Sequence, residues 1–196
     1  MTTVLVTGAE RGLGLSLVRA YADTGVRVIA LCRETSPAIE ELAPELHTGV
    51  DVANAAAVAR AAAAVGDAPL DVLINNAGVM SDDDFRDLDV AAVRQQFEVN
   101  ALGPLNVARA FAPRLRRGAR LINISSRLGS IADNASGGDY GYRMSKAAQN
   151  MLTANLSLDL KEADVIVAAL HPGIVATTMT GGKGTSADEV ARDLLA

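Results

Sequence analysis

Residues 3–14 read Thr3-Val4-Leu5-Val6-Thr7-Gly8-Ala9-Glu10-Arg11-Gly12-Leu13-Gly14. The β-branched run Thr3–Thr7 is a strand candidate, and from residue 13 apolar positions recur at helical spacing to residue 24. Between them stands a glycine-rich turn. Strand, tight turn and helix in that order form the setting that a dinucleotide pyrophosphate needs. Gly8 supplies the unusual turn dihedral and Gly12 lets backbone amides approach the phosphates. Gly14 allows close packing of helix on strand, and the helix amino end favours negative charge. Alone, such a turn also serves as a plain βα connection with no ligand. Its spacing, Gly-x-x-x-Gly-x-Gly, differs from the commoner Gly-x-Gly-x-x-Gly.

Outward from this stretch, short apolar runs alternate with longer Ala-rich segments. The strand candidates are Thr3–Thr7, Arg27–Leu31, Glu45–Val50, Leu70–Asn75, Arg120–Ser125 and Val165–Leu170. Helix candidates occupy roughly 13–24, 36–43, 54–65, 87–115, 140–161 and 186–195. Most strand runs are nearly continuously apolar, as in a parallel sheet covered by helices on both faces. The expected fold is therefore α/β: a doubly wound parallel sheet of the Rossmann type, with right-handed crossovers, in a single domain over residues 1–196. The Gly/Ser/Asp-rich stretch Gly129–Asp139 reads as a functional loop rather than a linker. The last helix starts at a plausible cap, Ser186, with Glu189 three residues on, and no closing strand follows it.

Composition narrows the function classes. With 196 residues, 49% hydrophobic and 21% charged, the chain is an ordinary globular protein able to bury a full core without disulfides or structural metal. Its one cysteine, Cys32, permits no disulfide framework and no thiolate cluster, and no metal site is expected. The net charge of −5 argues against a nucleic-acid partner. No apolar run approaches the ~20 residues of a membrane span, and Met1-Thr2-Thr3 leads into the first strand without a basic segment. A cytoplasmic protein with no membrane partner is expected.

The cofactor's phosphate preference is read at the end of the second strand candidate. Where an acid would accept bonds from the adenosine ribose of NAD, the chain has Arg33, and Glu34 only follows it. Arg33, with Arg11 in the glycine turn, suits a 2′-phosphate, which favours NADP(H) over NAD(H). Solvated surface arginines are the competing reading.

Acid–base chemistry is indicated further along. Tyr142 and Lys146 are four apart in a helix candidate and so share one face. An ammonium beside a phenol stabilises phenolate and is expected to bring the tyrosine's proton affinity towards the working range. Ser126 ends the fifth strand candidate, where doubly wound folds bind ligands, and its hydroxyl could donate to a carbonyl oxygen. Asn75-Asn76-Ala77-Gly78 ends the fourth strand candidate. Asn100 stands in a mostly apolar helical run, where a buried amide either caps a kink or holds a water.

Taken in order, Thr7-Gly-x-x-x-Gly-x-Gly14, Asp51-Val52, Asn75-Asn-Ala-Gly78, Asn100, Ser126, Tyr142-x-x-x-Lys146 and Pro172-Gly173 with Thr177 resemble the short-chain dehydrogenase/reductase family over nearly the whole chain. The stretch 125–143, with His171-Pro-Gly-Ile-Val-Ala-Thr177, is similar to a carbonyl-reductase-like branch that includes bacterial C-factor-type proteins. The resemblance implies that Tyr142 exchanges the proton as hydride passes between nicotinamide and substrate carbon. It implies that Lys146 lowers the tyrosine's proton affinity and binds the nicotinamide ribose, that Ser126 polarises the carbonyl, and that Asn100 positions a relay water. It further implies that Gly8, Arg11, Gly12, Leu13 and Gly14 line the pyrophosphate and that Arg33 meets the 2′-phosphate. Asp51 and Val52 would meet the adenine, and Asn75, Ala77 and Gly78 the adenosine side and site floor. Pro172, Gly173, Val175 and Thr177 would lie against the nicotinamide.

Two departures accompany the resemblance. The interval from Ser126 to Tyr142 is a few residues longer than in most of the family, and the family's last strand is missing. The leading reading is an NADP(H)-dependent carbonyl reductase or alcohol dehydrogenase acting on a small carbonyl or alcohol. The alternatives are a signalling or regulatory protein that holds the dinucleotide without turnover, and a tailoring enzyme that works without net redox. Ala/Leu-rich faces of the helix candidates 87–115 and 140–161 suggest a homodimer or larger assembly.

Overall fold

A computed structural model describes residues 1–42 and 45–195. Six parallel strands form the sheet: β1 (Thr3–Thr7), β2 (Arg27–Leu31), β3 (Glu45–His47), β4 (Leu70–Asn75), β5 (Leu115–Ile124) and β6 (Ile166–Leu170). Their order across the sheet is β3-β2-β1-β4-β5-β6, so the direction of winding reverses between β1 and β4. That reversal opens a crevice at the carboxyl ends of the strands.

The core follows from the strands' two-residue period. Val4 and Val6 of β1 point to one face, where they pack with Leu17 and Val18 of α1 (Gly12–Ala22), Ile39 of α2 (Pro37–Leu42) and Val190 of α7 (Ala187–Leu195). Leu5 points to the other face, among Val58 of α3 (Ala55–Val65) and Val107 and Phe111 of α5 (Gly103–Phe111). α6 (Tyr140–Asp159) adds Leu156 to this second layer. Both faces of the sheet are thus covered, as the continuous apolar strand runs require.

Several boundaries differ from the sequence-based expectation. The 87–115 helix is not one element: α4 (Val90–Phe97) passes into a π-helical turn (Glu98–Leu102), then α5, then a 3-10 turn (Ala112–Arg114). Apolar spacing continues through the π turn, which is why the sequence reads as a single helix. β5 begins at Leu115, five residues before the expected start, with a register shift opposite Leu70 and Val72. β3 stops at His47 rather than Val50, and α6 ends at Asp159. The expected helix over 36–43 is found over Pro37–Leu42, Ala43 lying outside the described residues. A small pair, β7 (Val175–Ala176) and β8 (Thr185–Ser186), was not foreseen. Ser186 does cap α7, its Oγ accepting from the Glu189 amide at 3.2 Å. Beside β6, the outermost strand, no seventh strand pairs among the described residues.

Candidate active site

The glycine turn is held by the end of β4. Thr7 Oγ1 accepts from the amides of Asn76 and Ala77, each at 3.1 Å, and Asn76 Nδ2 donates to the carbonyls of Thr7 and Gly8 at 3.0 Å. Gly8 has φ +62°, and a Cβ there would fall 2.8 Å from Ala77 Cα. At Gly14 a Cβ would fall 2.1 Å from the Gly8 carbonyl oxygen. Helix and turn are in contact only because neither residue carries a side chain. α1 then starts without a side-chain cap and without an acid in its first turn, and its first residues, Gly12 and Leu13, line the crevice.

One cleft of about 700 Å³ runs from this turn to the start of α6. Of the residues expected to bind cofactor, Gly8, Arg11, Gly12, Leu13, Arg33, Asp51, Val52, Ala77, Gly78, Tyr142, Lys146, Pro172, Gly173, Val175 and Thr177 line it, and so does Ser126. Three expected residues stand behind the wall instead. Gly14 is the packing contact just described. Asn75 is buried as the last residue of β4, its Nδ2 donating to Asn123 Oδ1 at 2.8 Å, so the amide that supports the turn is Asn76. Asn100, fully buried, sits in the π turn and clamps the loop after β4: Oδ1 accepts from Val79 N, and Nδ2 donates to Val79 O, both at 2.8 Å, and to Ser145 Oγ at 3.0 Å.

The acid–base pair comes from the first turns of α6. Asp139, the residue before the helix, has φ +48° and gives no side-chain cap. The cap comes from Asp83, whose carboxylate accepts from the amides of Tyr140 and Gly141, the latter at 2.9 Å. Lys146, only 4% exposed, donates from Nζ to the Ile124 carbonyl at 2.8 Å and to Gln149 Oε1 at 3.0 Å, and lies 5.7 Å from the centre of the Tyr142 ring. Burial lowers the Lys146 ammonium to about 7. Burial also raises the Tyr142 phenol; hydrogen bonding from Ser126 pulls it back and the Asp139 charge pushes it up. The expected downward shift of Tyr142 by Lys146 is thus not found: desolvation governs both groups, and a lysine titrating near neutrality is a weaker source of positive charge than one in water.

Several contributors were missed in the sequence. Asn76 stands beside the asparagine chosen, and Gln149 lies three positions beyond Lys146. Glu10 lines the cleft's far end with Oε2 buried and unpartnered among the described residues. Near it Cys32 is an inert thiol, pushed up to about 12 by burial and then by Glu10.

The short chain dehydrogenase family profile matches residues 2–188. The chain is 42% identical over 182 residues to the 1-hydroxy-2-glutathionyl-2-methyl-3-butene dehydrogenase of Rhodococcus sp. (strain AD45), covering 92% of this chain and 80% of that one. It is 48% identical over 120 residues to the C-signal protein of Myxococcus xanthus, covering 60% and 72%. Among solved structures, the NADPH-bound carbonyl reductase from chicken fatty liver superposes with a TM-score of 0.89 at 33% identity, covering 100% of this chain and 90% of the other.

Proposed function

The chain belongs to the short chain dehydrogenase family, and on that premise we propose that it is an NADP(H)-dependent carbonyl reductase or alcohol dehydrogenase with Tyr142 as the proton-exchanging group. One observation carries this reading: Tyr142, Lys146 and Ser126 line the same cleft as the glycine turn and Thr177. The fit of a dinucleotide rests on the uncapped amino end of α1, whose amides suit a pyrophosphate. Arg11 and Arg33, exposed at the cleft's far end and in no ion pair with a described carboxylate, suit the 2′-phosphate.

The bound nicotinamide would supply or accept the hydride. Tyr142 donates its proton to the substrate oxygen in reduction and takes it back in oxidation. Ser126 donates a second hydrogen bond to the same oxygen and shares the charge that develops there. Lys146, oriented by Ile124 O and Gln149, holds the ribose and restores the proton to Tyr142. Asn100 fixes Val79 against this centre and, through Ser145, the helix that carries it.

The test is NADPH oxidation with ketones, aldehydes and quinones, comparing Tyr142→Phe. The variant is expected to bind NADPH as the wild type does and to lose turnover by about 10² to 10⁴. Equal rates would remove Tyr142 from the chemistry. Tight NADPH binding by wild type with no turnover of any carbonyl would favour the signalling alternative.

We also propose a homodimer. Met144, Met151 and Leu158 recur every seven residues along α6 and are 54%, 63% and 72% exposed. Such a stripe is costly in water and suits a two-fold contact. Sedimentation at micromolar concentration tests it.

A further inference from the structure

We propose that the carbonyl substrate carries a carboxylate, held by Arg127 and Arg143 in a second recess that shares Arg127 and Leu128 with the cleft. The inference rests on the reductase reading and adds the substrate's chemical class to it.

The recess measures about 530 Å³ and is lined by Arg127, Leu128, Asp133, Ser136 and Arg143. Arg127 and Leu128 also line the main cleft, so the two spaces share a wall. The chain places each arginine one residue after a group assigned to the reacting oxygen: Arg127 follows Ser126 and Arg143 follows Tyr142. Arg127, which lines both spaces, links them, and Arg143 lines the recess beyond it.

Charge favours an anion there. Neither guanidinium lies in an ion pair with a described carboxylate. Arg143 is aimed rather than neutralised: Nε donates to Gly138 O at 3.0 Å and Nη2 to Ser136 Oγ at 2.9 Å, which leaves other N–H donors of the fork for a ligand. Asp133 is the one acid on the wall, so the lining carries a formal charge of two arginines against one aspartate, +1, in a chain of net −5. Arg127 also helps, after burial, to hold the neighbouring His171 below its usual value. A carboxylate matches the planar fork of either arginine, and the volume admits several ligand atoms beyond it.

The test is a series of ω-oxo acids of four to eight carbons against their methyl esters, assayed with NADPH. At the best chain length the acid is expected to exceed its ester in kcat/KM by about tenfold or more, the scale of one charge-assisted hydrogen bond. In Arg127→Met and in Arg127→Met/Arg143→Met the acid-to-ester ratio is expected to fall towards one, mainly through KM. Arg127 makes no side-chain hydrogen bond among the described residues, so its single variant isolates charge from folding. A ratio near one at every length in wild type, or one that the variants leave unchanged, overturns the proposal. So does a stronger preference for the matching phosphonate. If no carbonyl compound is turned over, the reductase reading falls. Calorimetric binding of the same acids, expected in wild type and absent from the double variant, then decides the subsite on its own.

Discussion

The carboxylate of Asp83 caps the helix that begins 57 residues later, accepting from the amides of Tyr140 and Gly141. Asp139, the residue that locally should cap it, is left-handed and contributes no side-chain bond. The loop after β4 therefore sets where Tyr142 starts its helix, and the same loop is pinned at Val79 by Asn100.

Asp83→Ala is expected to lower stability by about 1 to 2 kcal/mol, the scale of a lost cap with its favourable charge, seen as a lower urea midpoint. Turnover should fall with it while NADPH affinity changes little. Asp83→Asn, which keeps an acceptor, should recover most of the midpoint.

Lys146 gives a pH signature. Its folded value, near 7, lies below the 10.5 of the unfolded chain. Between these values the unfolded state binds the extra proton, so this residue's contribution to stability rises with pH across the window, by at most about 1.4 kcal/mol per pH unit. Below about pH 7 its burial penalty is present in full. Lys146→Met is expected to be more stable than wild type near neutrality, the difference shrinking as pH rises towards 10. A wild-type-minus-variant curve that is flat in urea unfolding from pH 6 to 10 would contradict the burial argument.

Cofactor choice should shift at the far end of the cleft. Arg33→Ala is expected to weaken NADPH binding by about 10- to 100-fold, the worth of one or two charge-assisted bonds, and NADH binding by much less. Fluorescence titration with both dinucleotides measures it; equal losses would place Arg33 away from the 2′ position.

Gly14→Ala introduces a Cβ 2.1 Å from the Gly8 carbonyl oxygen and 2.5 Å from Asn76 Nδ2. The turn and α1 must separate, at a cost of about 2 kcal/mol or more. Both the unfolding midpoint and dinucleotide affinity should drop, because the same shift moves the leading amides of α1.

The sheet was legible because strand runs, glycines and helical spacing are local signals, and the cleft followed from where those strands end. What escaped the sequence is non-local or depends on register. Choosing Asn75 over Asn76 required knowing which of two adjacent side chains points inward, and the last pleat of β4 turns Asn75 into the sheet's polar interior with Asn123. Asp83 lies in the run Asp82-Asp83-Asp84, far from α6 along the chain, and only tertiary folding brings it to the Gly141 amide. The pKa of Tyr142 was misjudged because pairing was weighed without burial. Gln149 was within reach, one turn past Lys146 on the same face, yet an amide there carries no signature until the lysine's own burial is known.

The π turn at Glu98–Leu102 holds one residue more than the regular helix needs. That surplus turns α5 by about 100° relative to a continuous helix, the angle of one residue. α4 can therefore meet α6 while α5 keeps Val107 and Phe111 inside the sheet's core. The fold hides a vernier in this helix: a single extra position reconciles two packing phases, and the asparagine that clamps the chemistry occupies the misfit.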